Sequence, residues 1–312
     1  MKVLVAGATG AIGTQLIPRL VAAGHEVTGM TRSESKRTLV SELGATPVVA
    51  DALDPEQVAA AVAEAEPEAI VHQLTALGGG ISMRRIDRSF ELTNRLRTEG
   101  TDHLLSAARA AGVRRFVAQS FAGWPSARNG APIKTEEDPL DPSPPERMRT
   151  MLEAICYLER AVTEADWIEG IVLRYGGFYG PGTSLAPGGE QFEPIRRRRF
   201  PVVGDGGGIW SLIHVGDAAE ATALALERGE LGIYNVVDDD PVPVRVFLET
   251  VSEELGVGKP RRVPRWLGRL LAGEAAVMMM TEGPGASNEK AKRELGWQPE
   301  HPSWRGNLVQ GR

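Results

Sequence analysis

The tightest constraint in the chain lies at its start. An apolar run, Val3-Leu4-Val5-Ala6, leads straight into Gly7-Ala8-Thr9-Gly10-Ala11-Ile12-Gly13 and then into a helical pattern over 14–23. Glycines at that spacing between a strand and a helix divide the work. Gly7 lets the chain turn, Gly10 lets the backbone come close to a bound group, and Gly13 lets the helix sit tight against the strand. Strand-like runs at 26–30, 46–50, 69–72 and 115–118 then alternate with helical stretches at 35–43 and 55–65 and a long one ending at Ala111. Short continuous apolar runs separated by helices read as parallel strands covered on both faces. The fold class expected is α/β, a Rossmann-type doubly wound parallel sheet.

The second half is less regular. Residues 123–145 are dense in Pro, Gly and charge and read as a loop of functional length, followed by a helix over 147–164 and a strand at 171–174. The Gly/Pro-rich stretch 176–189 and the chain after Val242 read as a smaller C-terminal layer. The division expected is a dinucleotide-binding domain over 1–175, with a strand also contributed by about 209–237, and a smaller substrate-binding region from 176–208 and 238–312.

Composition removes several function classes. A net charge of −6, from 35 Lys+Arg against 41 Asp+Glu, argues against nucleic acid or an anionic membrane as partner. The single Cys156 and five scattered histidines give no metal-ligand spacing, so no metal is expected. The sequence shows neither a signal-peptide apolar region nor a stretch of membrane-spanning length, which makes the cytoplasm the expected location.

The glycine cradle ends at a helix N-terminus, whose free N–H groups and positive dipole end suit a pyrophosphate. The end of the second strand then discriminates between dinucleotides, because an acid there accepts from a ribose 2′-hydroxyl whereas a guanidinium meets a 2′-phosphate. The chain has Thr31-Arg32-Ser33, with Lys36 and Arg37 following, so NADP(H) is favoured over NAD(H) and Arg32 is the discriminating residue.

With these residues in place the chain resembles the extended short-chain dehydrogenase/reductase family, in its epimerase/dehydratase-like branch, nearly end to end. The resemblance rests on 7–13, Asp51-Ala52-Leu53-Asp54-Pro55, His72-Gln73-Leu74-Thr75-Ala76, Gly100-Thr101, Gln119-Ser120, 173–182, Ile213-His214-Val215-Gly216-Asp217 and 292–299. It implies that Thr9, Ala11 and Ile12 join the three glycines at the cofactor and that Asp51 and Ala52 sit against the adenine. Leu74, Thr75 and Ala76 would lie along the cofactor's middle, and Tyr175 and Gly176 near the nicotinamide.

The family's proton chemistry rests on a Ser, a Tyr and a Lys, the last two spaced four apart on one helix face. Ser120 fits the serine position. Aligning Glu159 with the glutamate that usually follows the lysine puts Ile155 at the lysine and Met151 at the tyrosine, and neither carries a proton. Tyr157, six residues past Met151 and so about 240° around the helix, points off that face and suits core packing. Arg97 stands where the family has an asparagine, with Asn94 one turn earlier. Gly177 and Trp210 replace the Asn and Arg that hold the diphosphate in sugar-nucleotide members, and the 196–199 arginine run reads as solvated surface.

The favoured reading is an oxidoreductase with a non-standard catalytic site. It would be an NADP(H)-dependent reductase of a small, weakly charged carbonyl compound rather than a sugar nucleotide, with Ser120 holding the carbonyl and Tyr175 as substitute acid. His214, in an apolar run, reads as a satisfied core residue. Two alternatives stand beside it: a non-redox cyclase, dehydratase or epimerase with bound cofactor, and a catalytically silent NADP(H)-binding sensor. The expected partners are a small-molecule substrate and a second copy joined through helices 90–111 and 147–164. Leu104, Leu105, Ile155 and Leu158 suit either that interface or the core.

Overall fold

The computed structural model describes residues 1–78 and 80–309, so the last three residues of the expected smaller region, 310–312, lie outside the described residues. Seven strands form one sheet: β1 (Lys2–Ala6), β2 (Glu26–Thr31), β3 (Thr46–Val49), β4 (Ala69–His72), β5 (Arg115–Phe121), β6 (Glu169–Tyr175) and β7 (Gly232–Val236). Their order is β7-β6-β5-β4-β1-β2-β3, and every neighbouring pair is parallel. The chain winds outward in opposite directions from β1 and β4. Their carboxyl ends therefore open a crevice at the switch point, where sheets of this kind bind ligands.

Both faces of the sheet are covered, which is why its strands read as unbroken apolar runs. On one face α1 (Ala11–Ala22) and α7 (Val215–Arg228) press Leu16, Leu20, Ala218 and Ala221 onto Val3, Val5 and Val117. On the other, α2 (Pro55–Ala65), α5 (Glu99–Ala111) and α6 (Arg149–Thr163) press Val58, Leu104 and Leu158 onto Leu4, Ile70 and Phe116. Leu104, Leu105, Ile155 and Leu158 are all buried within the single chain, so they build the core.

The long helix expected up to Ala111 is broken. It begins as α3 (Ile86–Ser89), continues as α4 (Glu91–Arg97), and restarts as α5 after Thr98, whose φ −99° and ψ −82° lie off the helical region. Thr98 Oγ1 donates to the Asn94 carbonyl and competes with the helical ladder at that point.

The smaller layer packs around Phe247, Trp304, Val202 and Val244 and is joined to the sheet domain where Gly177–Tyr179 pairs with Leu212–His214. Trp210 belongs to this layer's aromatic core, with ring centroids 5.4 Å from Phe247 and 6.2 Å from Phe200. The 123–145 segment is anchored rather than free. Ile133–Lys134 pairs with Gly285–Ala286, and Arg128 bridges Asp141 and Glu282, each at 2.9 Å. Among the described residues no helix is long and apolar enough to cross a membrane.

Candidate active site at the carboxyl edge of the sheet

The cradle has the backbone geometry a pyrophosphate requires. Gly7 has φ +97°, and a Cβ there would lie 2.7 Å from the Gln73 carbonyl oxygen. At Gly13 a Cβ would stand 2.4 Å from the Gly7 oxygen and 2.7 Å from the Ala8 carbonyl, so only glycine lets α1 start this close to β1. Gly10 caps α1 without a side-chain bond, leaving the first N–H groups of the helix, beginning at Ala11 and Ile12, turned toward the opening beside Thr9. These residues fit a dinucleotide.

The flanking turns are held by polar contacts. Arg32 is exposed just past β2 and has no carboxylate at ion-pair distance among the described residues, while Arg37 is paired with Glu34. Asp51 Oδ1 accepts from Leu53 N–H at 3.0 Å, and His103 Nδ1 donates to the Ala52 carbonyl at 3.0 Å. After β4, Leu74 N–H donates to His72 Nδ1 and Ala76 N–H to Thr93 Oγ1, which fixes the path of 74–76 through Thr75. Burial, reinforced by the Arg97 charge, pushes His72 down to about 4. The imidazole is therefore neutral, accepting at Nδ1 and donating from Nε2 to Thr101.

Both candidate proton donors are buried and hydrogen-bonded within the fold. Ser120 alternates with Phe116 and Ala118 toward α6, is 1% exposed, and donates to Glu159 Oε1 at 2.7 Å. Glu159 in turn takes a two-pronged bond from Arg174 at 2.7 and 2.6 Å, so the serine finishes a buried ion pair. Tyr175 is fully buried on the α1/α7 face, its hydroxyl held by Thr222 at 2.6 Å and Gln73 at 3.2 Å. Burial raises its pKa far above the usual phenol range, so the substitute-acid reading is corrected to a core residue. Gly176 is needed because a Cβ would meet the Ser211 oxygen at 2.6 Å, a close approach of backbone to backbone.

Phe121, one residue beyond Ser120, closes the strand and packs against an apolar cluster. It joins Met151 and Ile155 in one apolar cluster with Met148, Trp124 and Met278, and its ring lies 6.1 Å from Trp124. Strand alternation from Phe116 and Ala118 places Ser120 on their side of the sheet. Arg97 is likewise buried, and desolvation lowers it to about 10 despite the nearby Glu159 charge.

Other expected residues have structural work. Tyr157 points off the 151/155 face, but it is not core. It is half-buried, and its hydroxyl donates to Asp102 across α5 and α6. His214 Nδ1 accepts from Gly216 N–H at the start of α7. His214, Asp217 and His301 stand close enough that one atom of each lies within 4.8 Å of the others, a grouping that sequence spacing did not reveal. Asp217 is occupied by the Glu300 and His301 N–H groups, which pin the C-terminal segment. Arg196 and Arg197 pair with Glu193 on the exposed surface.

The family model of the NAD dependent epimerase/dehydratase family matches residues 3–236. The chain belongs to that family. It is 43% identical over 311 residues to a 3-diazoavenalumate denitrifying reductase from a Streptomyces species, covering 99% of both chains. It is 28% identical to a 4-hydroxy-2-methyl-3-oxo-4-farnesyl-3,4-dihydroquinoline-1-oxide ketoreductase from Stigmatella aurantiaca, covering 95% of this chain and 92% of the relative. Among solved structures it is similar to the Thermus thermophilus UDP-glucose 4-epimerase in complex with NAD. The TM-score there is 0.76 at 26% identity, covering 100% of this chain and 98% of that one. Within its family this epimerase/dehydratase member is an NAD(P)-dependent oxidoreductase.

Proposed function

We propose that this family member is an NADP(H)-dependent reductase whose substrate accepts a hydride without taking a proton from the protein, and that an aromatic diazo compound is such a substrate. The observation that carries this reading is the side-chain cluster uniting Phe121, Met151 and Ile155 at the strand ends, where the family places its proton relay. A reduced nicotinamide supplies hydride when bound. An arenediazonium carbon that gains hydride forms its C–H bond with the hydride pair, while the C–N bond breaks and N2 leaves with that bond's electrons. Charge and atoms balance with no proton moved. A ketone, by contrast, needs a proton on oxygen as the hydride arrives, and Ser120 and Tyr175 are both committed in the core.

The chain's own residues divide the remaining work. The α1 N-terminus and Gly7, Gly10 and Gly13 hold the pyrophosphate, and Arg32 meets a 2′-phosphate. Phe121 and Trp124 offer aromatic faces to an aryl ring, and the Met151 and Met278 thioethers repack around it. Excluding water from this cluster protects a diazo group from hydrolysis. The 43% identical relative is named for that chemistry, which supports the substrate class. Sugar nucleotides are disfavoured because Gly177 and the packed Trp210 offer no guanidinium to a diphosphate. The test is oxidation of NADPH and NADH by a 4-hydroxyarenediazonium and by a panel of ketones. NADPH-preferring turnover of the diazonium with matching N2 release is expected; turnover of ketones with an inert diazonium would overturn the proposal.

A further inference from the structure

We infer that the substrate of this reductase carries a carboxylate, and that an arginine-lined groove beside the apolar cluster receives it. The inference rests on the reductase reading for the identity of the ligand, not for the existence of the groove. Two adjoining cavities, of about 600 and 500 Å³, share Arg84 and Arg147 in their walls. The first adds Arg269, Gly273 and Glu274, and the second adds Ser82, Arg85, Asp87 and Arg88. Five arginines, all exposed, and two acidic residues thus line the groove.

Most of that positive charge is uncompensated. Arg147 reaches Asp87 at 3.4 Å and also donates to the Arg84 carbonyl. Among the described residues, Arg84, Arg85, Arg88 and Arg269 have no carboxylate at ion-pair distance. Other arginines of the chain are paired, as Arg95 is with Glu99 at 2.7 Å and Arg196 with Glu193 at 2.6 Å, while Arg32 and Arg199 likewise have no carboxylate at ion-pair distance among the described residues; what sets this group apart is that its members line one groove. Like charges gathered in a concave surface repel one another and concentrate potential, so an anion entering it is favoured.

The groove borders the reactive region because the same segments build both. Met83 and Ile86 enter the apolar cluster while Arg84, Arg85 and Arg88 turn to the groove. Met148 enters the cluster from the start of α6 while Arg147 lines the groove. Helices α8 (Arg265–Ala272) and α9 (Glu274–Thr281) repeat the pattern with Ala275 and Met278 inside and Arg269 outside. Gly273, between α8 and α9, lies beside Arg84, since a Cβ there would stand 3.4 Å from Arg84 Cα, an ordinary contact distance. A ligand matching this arrangement has a flat apolar body and an oxyanion at one end. The forked donors of several guanidiniums suit a carboxylate in two-pronged geometry.

The test separates the groove from the reaction. With the full chain saturated with NADP⁺, so that no turnover occurs, calorimetric titration compares 4-hydroxycinnamate with its methyl ester. The acid is expected to bind at least ~10-fold tighter, and Arg147→Gln and Arg269→Gln are each expected to erase most of that preference. Arg199→Gln, on the exposed surface away from the groove, is expected to keep it. Inorganic phosphate at equal concentration is expected to compete weakly. Equal binding of acid and ester, absence of binding by either, retained preference in both groove variants, or equal competition by phosphate would each overturn the inference. The reductase activity is tested separately, by NADPH oxidation with an arenediazonium that carries a carboxylate and one that does not. Turnover of both at equal KM would remove the groove and keep the reductase, whereas binding of the acid with no turnover of either would do the reverse.

Discussion

Replacing Ser120 with alanine separates a structural serine from a catalytic one. The hydroxyl makes one bond, 2.7 Å to a carboxylate that stays doubly bonded to Arg174 after the change. No charge is left unpaired, so the cost is that of one hydrogen bond to an ionised acceptor, about 1.5–3 kcal/mol. At roughly 2.1 cal/mol/K of unfolding entropy per residue, a chain of 312 residues loses about 2–5 °C in Tm. Because Ser120 is 1% exposed and faces α6, the hydride-transfer rate in single turnover with NADPH and an arenediazonium should change less than about 3-fold. A general acid or carbonyl-binding group at this position would instead lose about 10²–10⁴-fold. A drop of that size with little change in Tm would refute the assignment of Ser120 to the Glu159 ion pair and restore it to the reaction.

Further consequences are open to measurement. Glu159→Gln strips the counter-charge from buried Arg174 and from nearby buried Arg97, a loss of about 3–5 kcal/mol that urea unfolding should read directly. Arg32→Asp should lower the ratio of NADPH to NADH affinity by ~10-fold or more, and an unchanged ratio would remove the 2′-phosphate assignment. Stability should vary with pH through two opposed groups. His72, held at about 4 by burial, leaves the unfolded chain binding more protons between about 4 and the usual histidine value of 6.5, so its contribution is full above 6.5 and is lost as pH falls through that window. Burial raises Asp238 to about 8, so the folded chain holds the extra proton between about 4 and 8 and stability falls as pH rises. The two slopes offset each other below 6.5. Asp238→Asn should therefore flatten the decline between 6.5 and 8, and a decline that persists would remove Asp238 as its source.

The sheet was legible because its physics is local. Parallel strands buried on both faces must be continuously apolar, and the strand, glycine trio and helix at 1–23 allow few other packings. The break at Thr98 was not legible, because it depends on a threonine back-bond that any helix can tolerate or yield to. At the site, the apolar replacements Met151 and Ile155 could be read from helix spacing, whereas the bond from Ser120 to Glu159 could not, because it joins residues far apart in sequence on a strand and a helix. Tyr175 was misleading for a related reason: position at a strand end locates the backbone, while Thr222 and Gln73, distant in sequence, claim the hydroxyl. The arginine groove escaped the sequence because Arg84, Arg147 and Arg269 come from three separated segments. The contiguous run 196–199, which did stand out, pairs partly with Glu193 on the surface.

The central claim, hydride transfer with no proton from the protein, is tested most directly by isotope tracing. The protein is given NADPH deuterated at the transferred position and a 4-hydroxyarenediazonium in ordinary water, and the mirror reaction is run with unlabelled NADPH in D2O. The account predicts one deuterium on the product ring carbon from the labelled cofactor and none from the solvent. Solvent deuterium on that carbon, or product carrying no cofactor label, would contradict it.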